Sequence, residues 1–123
     1  MGSITTFWKQ ILKNFSSLPV AKKLAVLVRI EPGCLGPKGT EEIDRFCDYA
    51  QQQFEHVDAS FIHWDIAPRR DKNLPELQYQ INNRNLSNKK AELYLAHFNK
   101  CVNEFEDHFH EELDVAIEHY LGR

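Results

Sequence analysis

A chain of 123 residues, 42% hydrophobic and 27% charged, has the length and composition of one globular domain and is too rich in large apolar groups for disorder. A chain of this size can bury roughly two-thirds of its unfolded surface, so its core needs neither a disulfide nor a metal. The formal net charge of −3 argues against a general nucleic-acid binder, and no nucleic-acid partner is expected.

Residues 4–16 read as a short amphipathic helix, with Ile4, Trp8, Ile11, Leu12 and Phe15 at helical spacing and Lys9 and Lys13 off that stripe. Pro19 ends it, because the residue before a proline is pushed out of helical geometry. Its apolar face suits docking on its own domain or on a second subunit; two lysines supply little attraction to a lipid surface. Leu24 to Ile30 is a strand, apolar enough on both sides to expect a central position covered on both faces.

Glu31 to Gly39 is a loop of glycines and prolines, and Thr40 is placed as the N-cap of a second helix, with Glu41 and Glu42 in its first turn. Ile43, Phe46, Cys47, Ala50, Phe54 and Val57 form that helix's buried stripe, which should run to about His56. Phe61 to Ile66 is a second strand with Ile62, Trp64 and Ile66 on one face and Phe61, His63 and Asp65 on the other. A polar loop leads to a third strand, Leu77 to Asn82, and residues 83–86 turn the chain. Ser87 then caps a C-terminal helix of about 32 residues, with Leu86 and Ala91 as a hydrophobic staple. Its stripe is Ala91, Leu95, Phe98, Val102, Phe105, Phe109, Leu113, Ala116 and Tyr120, and a slip in spacing predicts a bend near Asp107 to His110.

The element order α-β-α-β-β-α predicts an α/β fold of α+β character: a small three-stranded mixed sheet, helices mainly on one face, and a long C-terminal helix. The first two strands should be parallel with a right-handed crossover, and the third should return antiparallel to the second. Such a sheet has exposed edges, and pairing with a second copy is one way to cover them, so a homodimer is among the expected assemblies.

Parallel strands gather their carboxyl ends on one edge, where open α/β sheets bind ligands. Two loops meet there. The first brings Gly36, Lys38, Gly39 and Thr40 into a helix start, and the second brings Arg69 and Arg70. Together they hold the ingredients of an anion site, although GPKGT matches no phosphate-loop or dinucleotide pattern and turn chemistry alone explains the glycines. Arg29, His63 and Asp65 form a second candidate set on the polar sheet face, where a carboxylate beside an imidazole suits acid–base work; the alternative is an ordinary wet face. A catalytic reading requires a concave pocket joining His63 to the Arg69/Arg70 loop.

His97, Cys101, Glu104 and His108 are spaced for ligation on one helix, but no second cluster completes a metal set, so neither metal nor cofactor is expected. Three widely spaced cysteines (Cys34, Cys47, Cys101) with no CxxC read as reduced thiols and point to the cytoplasm. No apolar run reaches the roughly 18 residues of a membrane span, so no integral membrane association is expected. Charge is segregated: residues 1–40 carry six lysines and arginines against Glu31, while residues 101–123 carry seven acids against Arg123. The expected function is a binding or regulatory protein acting on a macromolecular partner through the loop edge or the acidic face of the last helix. The alternative is a small enzyme or ligand-binding domain for an anionic metabolite.

Overall fold

A computed structural model of the chain describes residues 18–123. The amphipathic segment read at residues 4–16 lies outside them. The described chain runs through β1 (Leu24–Ile30), a 3-10 turn (Pro32–Leu35), α1 (Gly39–Phe54), β2 (Ile62–Pro68), β3 (Leu77–Ile81), β4 (Arg84–Asn85), α2 (Asn88–Ala96) and α3 (Val102–Tyr120). The class is α+β with a mixed sheet, but the sheet has four strands, in the order β2-β1-β3-β4.

The apolar run of β1 takes the interior position the sequence implies. It pairs in parallel with β2, Leu24 beside Ile62 and Ile30 beside Pro68, and antiparallel with β3, Ala25 beside Gln80. The third strand therefore hydrogen-bonds to the first and not to the second. The fourth strand was expected to be a turn. Asn82 and Asn83 both take positive φ, 50° and 64°, as a two-residue hairpin loop requires, and so fold Arg84 and Asn85 back onto β3.

Burial alternates strictly along β1: Leu24, Val26, Val28 and Ile30 are buried and Ala25, Leu27 and Arg29 are half-buried. Cover on both faces, as expected from the apolar run, is not what the described residues provide. The buried face continues through Ile62, Trp64, Ile66 and Tyr79 and meets the helices. Trp64 is the hub. Its ring lies 4.9 Å from Phe54 and stacks at 5.7 and 5.8 Å on Phe105 and Phe109, while its indole N–H donates to the Val57 carbonyl at 2.8 Å. That satisfies the one polar group such a buried ring carries.

α3 runs without interruption through Asp107 to His110; the break in the C-terminal helix comes earlier, between Ala96 and Val102. Asn99 adopts φ 59°, its N–H reaches the Ala96 carbonyl at 3.1 Å, and the Lys100 N–H reaches Leu95 at 2.9 Å. These are the two bonds of a helix closed by a left-handed residue, a role asparagine fills when glycine is absent. The apolar stripe survives the break, because Ala91, Leu95, Phe105, Phe109 and Ala116 are all buried. Ser87 caps α2 as expected, its hydroxyl accepting from the Lys90 N–H at 3.2 Å. Phe61 is not on the wet face. It precedes β2, is buried, and stacks on Phe98 at 4.2 Å.

The outer edge of β2 is closed from within. The Gln51 carboxamide donates to the Trp64 carbonyl and accepts from the Ile66 N–H, both at 2.8 Å, and the Asp58 carbonyl takes the Ile62 N–H at 2.9 Å. Gln51 thus makes bonds that an added strand would make, and this edge gives less reason for a second copy than a bare one would.

Candidate functional site

The Gly-rich loop is shaped by packing. Gly36 sits at φ 90°, a conformation that disfavours any residue with a Cβ. A Cβ on Gly39 would lie 1.8 Å from the Pro32 carbonyl oxygen, so this glycine lets the start of α1 seat directly on the preceding turn. The N-cap is Lys38 and not Thr40: the Glu41 and Glu42 N–H groups both bond the Lys38 carbonyl at 3.1 Å, which starts the helix earlier and leaves Thr40 exposed inside its first turn.

Arg69 faces inward and is engaged. It donates to Glu31 at 2.7 Å and to the carbonyls of Lys72 and Leu74 at 3.1–3.2 Å, with Glu76 at 3.8 Å. It ties the loop before β3 to the end of β1. Arg70 reaches Asp44 on α1 at 2.6 Å in a pair whose members are 69% and 68% exposed, so water screens it.

On the open sheet face His63 and Asp65 are exposed, as expected, but Arg29 stands apart from them. In register Ala25 is beside His63, Leu27 beside Asp65, and Arg29 beside Ala67. Arg29 donates to the Gln78 carboxamide oxygen and the Pro75 carbonyl, both at 2.9 Å. The cleft beside His63 is lined by Lys23, Gln51, Glu55, Ala59, Ile62 and Trp64, with neither Asp65 nor an arginine in it.

The carboxyl edge of β1 does hold a cleft, on the side away from Arg70. It has a volume of about 180 Å³ and lies between β1, the start of β3 and α3. Val28, Ile30, Leu77, Phe109, Leu113 and Ile117 give it apolar walls; Glu31, Glu76, Asp114, Arg29, His110 and Cys34 supply its polar lining. The Cys34 thiol is pushed up from its ordinary pKa, first by burial and then by the charges of Glu76, Glu31 and Asp114. Three carboxylates, one just after β1, one just before β3 and one on α3, therefore line the same cleft.

Asp114 also belongs to α3's outer face. There Glu104, Asp107, Glu111, Asp114 and Glu118 are all exposed and recur at three- and four-residue steps, which sets them in one stripe. Among the described residues, one cation is paired with this stripe, Arg123 with Glu118 at 3.1 Å. Glu106 lies off the stripe and is half-buried, accepting from the Tyr79 hydroxyl at 2.7 Å, an arrangement that raises the Tyr79 pKa through burial and that bond.

Cys101, Glu104 and His108 line a separate surface cleft with Asp58, Lys100 and Phe105, and His97 is outside it. No group of three or more His, Cys, Asp or Glu side chains among the described residues is arranged to hold a metal. No helix among them is long and apolar enough to cross a membrane. The chain matches no protein-family model, no curated protein and no solved structure.

Sequence reasoning found the edge but not the cleft. The acidic stripe is legible in the spacing of Glu104 to Glu118. The meeting of Glu31, Glu76 and Asp114 is not, because it requires knowing that β3 returns beside β1.

Proposed function

We propose that this protein is a small binding module that engages a basic region of a protein partner through the acidic face of α3 and the adjoining sheet edge. The observation that carries the reading is the stripe Glu104–Asp107–Glu111–Asp114, for which the described residues supply no Lys or Arg partner. Carboxylates left in water attract a cationic surface, speed its encounter and select against acidic competitors. An anionic metabolite held by Lys38, Arg69 and Arg70 is the weaker reading, since Arg69 would have to leave Glu31 and two carbonyls to reach it. Acid–base catalysis by His63 and Asp65 is weaker too, since the cleft that the described residues form at His63 includes neither Asp65 nor Arg69 and Arg70. Three free cysteines, with Cys34 and Cys101 exposed, favour a reducing cytoplasm for the protein, acting as one domain.

The test is a titration with a short lysine-rich peptide at two salt concentrations, on the wild type and on Asp107→Lys/Glu111→Lys. Binding that weakens with salt and is lost on charge reversal is the expected result. Binding unaffected by the reversal, or no binding at low salt, would refute the reading.

A further inference from the structure

We propose that the cleft between β1, β3 and α3 is the anchor pocket of this interface, taking one leucine- or phenylalanine-sized side chain from a partner segment that carries lysine or arginine beside it. The inference rests on the acidic-face reading and adds the residue that the partner must bring. Four observations support it.

The first is size. A cavity of about 150 Å³ lined by aliphatic and aromatic groups takes a benzene-sized guest, and this cleft, at about 180 Å³, matches one apolar side chain. The second is lining. The walls are the edges of core residues, so a bound side chain would extend the core outward; Leu77 and Leu113 are partly buried and already pack on the core cluster. The third is charge. Glu31, Glu76 and Asp114 all line the cleft beside Cys34, whose thiol is pushed up first by burial and then by these three charges. Arg69 balances part of this charge, at 2.7 Å from Glu31 and 3.8 Å from Glu76, and Arg29 is turned to Gln78 and Pro75; Asp114 is the lining carboxylate left without a Lys or Arg partner among the described residues. An apolar group carried by a cation fits such a mouth, and an anionic one does not.

The fourth is continuity. Asp114 is a member of both the cleft and the α3 stripe, and Glu111 and Asp107 precede it by about one and two turns along the same face. A partner segment lying along α3 would set its cations on the stripe while one apolar residue drops into the cleft. An apolar anchor in a pocket, ringed by charge contacts that steer, is the usual distribution of energy at such interfaces.

The cleft contains its own reporter. Cys34 lines it, while Cys101 lies in the separate cleft near Asp58 and Lys100 and serves as an internal reference. The experiment uses three short peptides: lysine-rich with one central leucine, the same with alanine for leucine, and the leucine peptide with glutamine for every lysine. Affinity is read by fluorescence anisotropy, and Cys34 and Cys101 alkylation by mass spectrometry.

The leucine peptide should bind roughly tenfold more tightly than its alanine twin and should slow alkylation of Cys34 relative to Cys101. The glutamine peptide should bind at least tenfold more weakly. Cys34→Phe, which plugs the cleft from an exposed position, should abolish the preference for leucine, and Glu76→Lys should weaken the leucine peptide; thermal melts check that both variants fold. Equal binding of the leucine and alanine peptides with Cys34 unprotected overturns the anchor while leaving the acidic-face reading standing. Equal binding of the glutamine peptide overturns the basic partner. No binding by any peptide overturns both.

Discussion

The two sides of the sheet's carboxyl edge carry charge in opposite ways. On the loop side Arg69 is four-fifths buried and held by Glu31 and two carbonyls, and Arg70 is matched to Asp44. On the α3 side the acids recur along an exposed stripe in which, among the described residues, only Glu118 has an arginine partner, Arg123; the stripe leads to an apolar cleft where Asp114 joins the Arg69-paired Glu31 and Glu76 in the lining. Both sides look charged in the sequence. What distinguishes them is whether each charge already has a partner in the fold. A matched charge holds structure, and an unmatched one is left to meet something else.

The largest effect should come from Gly39. Its role here is close approach to Pro32, so Gly39→Ala should destabilise by about 3 kcal/mol, the upper end for forcing an atom into a packed space. Chemical denaturation checks this. A neutral outcome would free the glycine for a ligand role and reopen the loop side as a site.

Next comes the contrast between the two arginines. Arg69→Ala leaves Glu31 and two carbonyls without their donor and should cost about 1–3 kcal/mol. Arg70→Ala breaks an exposed pair and should change stability by less than about 1 kcal/mol. Equal urea midpoints for the two variants would break the comparison between a clamping arginine and a solvated one.

Gln51→Ala removes two hydrogen bonds from the β2 edge. A loss of about 1–2 kcal/mol is expected, with more self-association in sedimentation because the edge is opened. A variant that stays as stable and as dispersed as the wild type would show that Gln51 does not seal that edge.

The smallest effect concerns Cys34. Burial, and after it the neighbouring carboxylates, disfavour its thiolate, so Glu76→Gln should lower its pKa and speed its alkylation by roughly a few-fold at fixed pH below 9. The sign for stability follows. A thiol whose pKa is raised by folding contributes fully below its ordinary 9.0, and that contribution is lost as pH rises through the folded value. An unchanged rate in Glu76→Gln would remove the carboxylate field from the cleft.

The parts of this fold that were legible share one property: they are set by local periodicity. The stripes of α1 and α3, the alternation of β2 and the Ser87 cap all follow from spacing of three, four or two. What was missed depended on single residues in unusual backbone conformations or on pairing across the chain. Asn99 ends α2 through one left-handed residue that leaves the apolar stripe undisturbed, so periodicity cannot reveal it. Asn82 and Asn83 make a hairpin whose second strand is two residues long, too short to show alternation. The cleft needs Glu31, Glu76 and Asp114 together, and nothing local links positions so far apart. The basic loop was legible as charge, but that Arg69 is already held by Glu31 was not.

The most direct measurement is an amide chemical-shift map of the isotopically labelled protein titrated in parallel with the lysine-rich leucine peptide and with inorganic phosphate. Shifts on the peptide arm at Asp107 to Ile117 and at Glu76 and Leu77, with residues 36–40 and 69–70 unmoved by phosphate, are the predicted pattern. Saturable phosphate shifts at residues 36–40 and 69–70, with α3 silent to the peptide, would contradict the account and give the site to the other side of the edge.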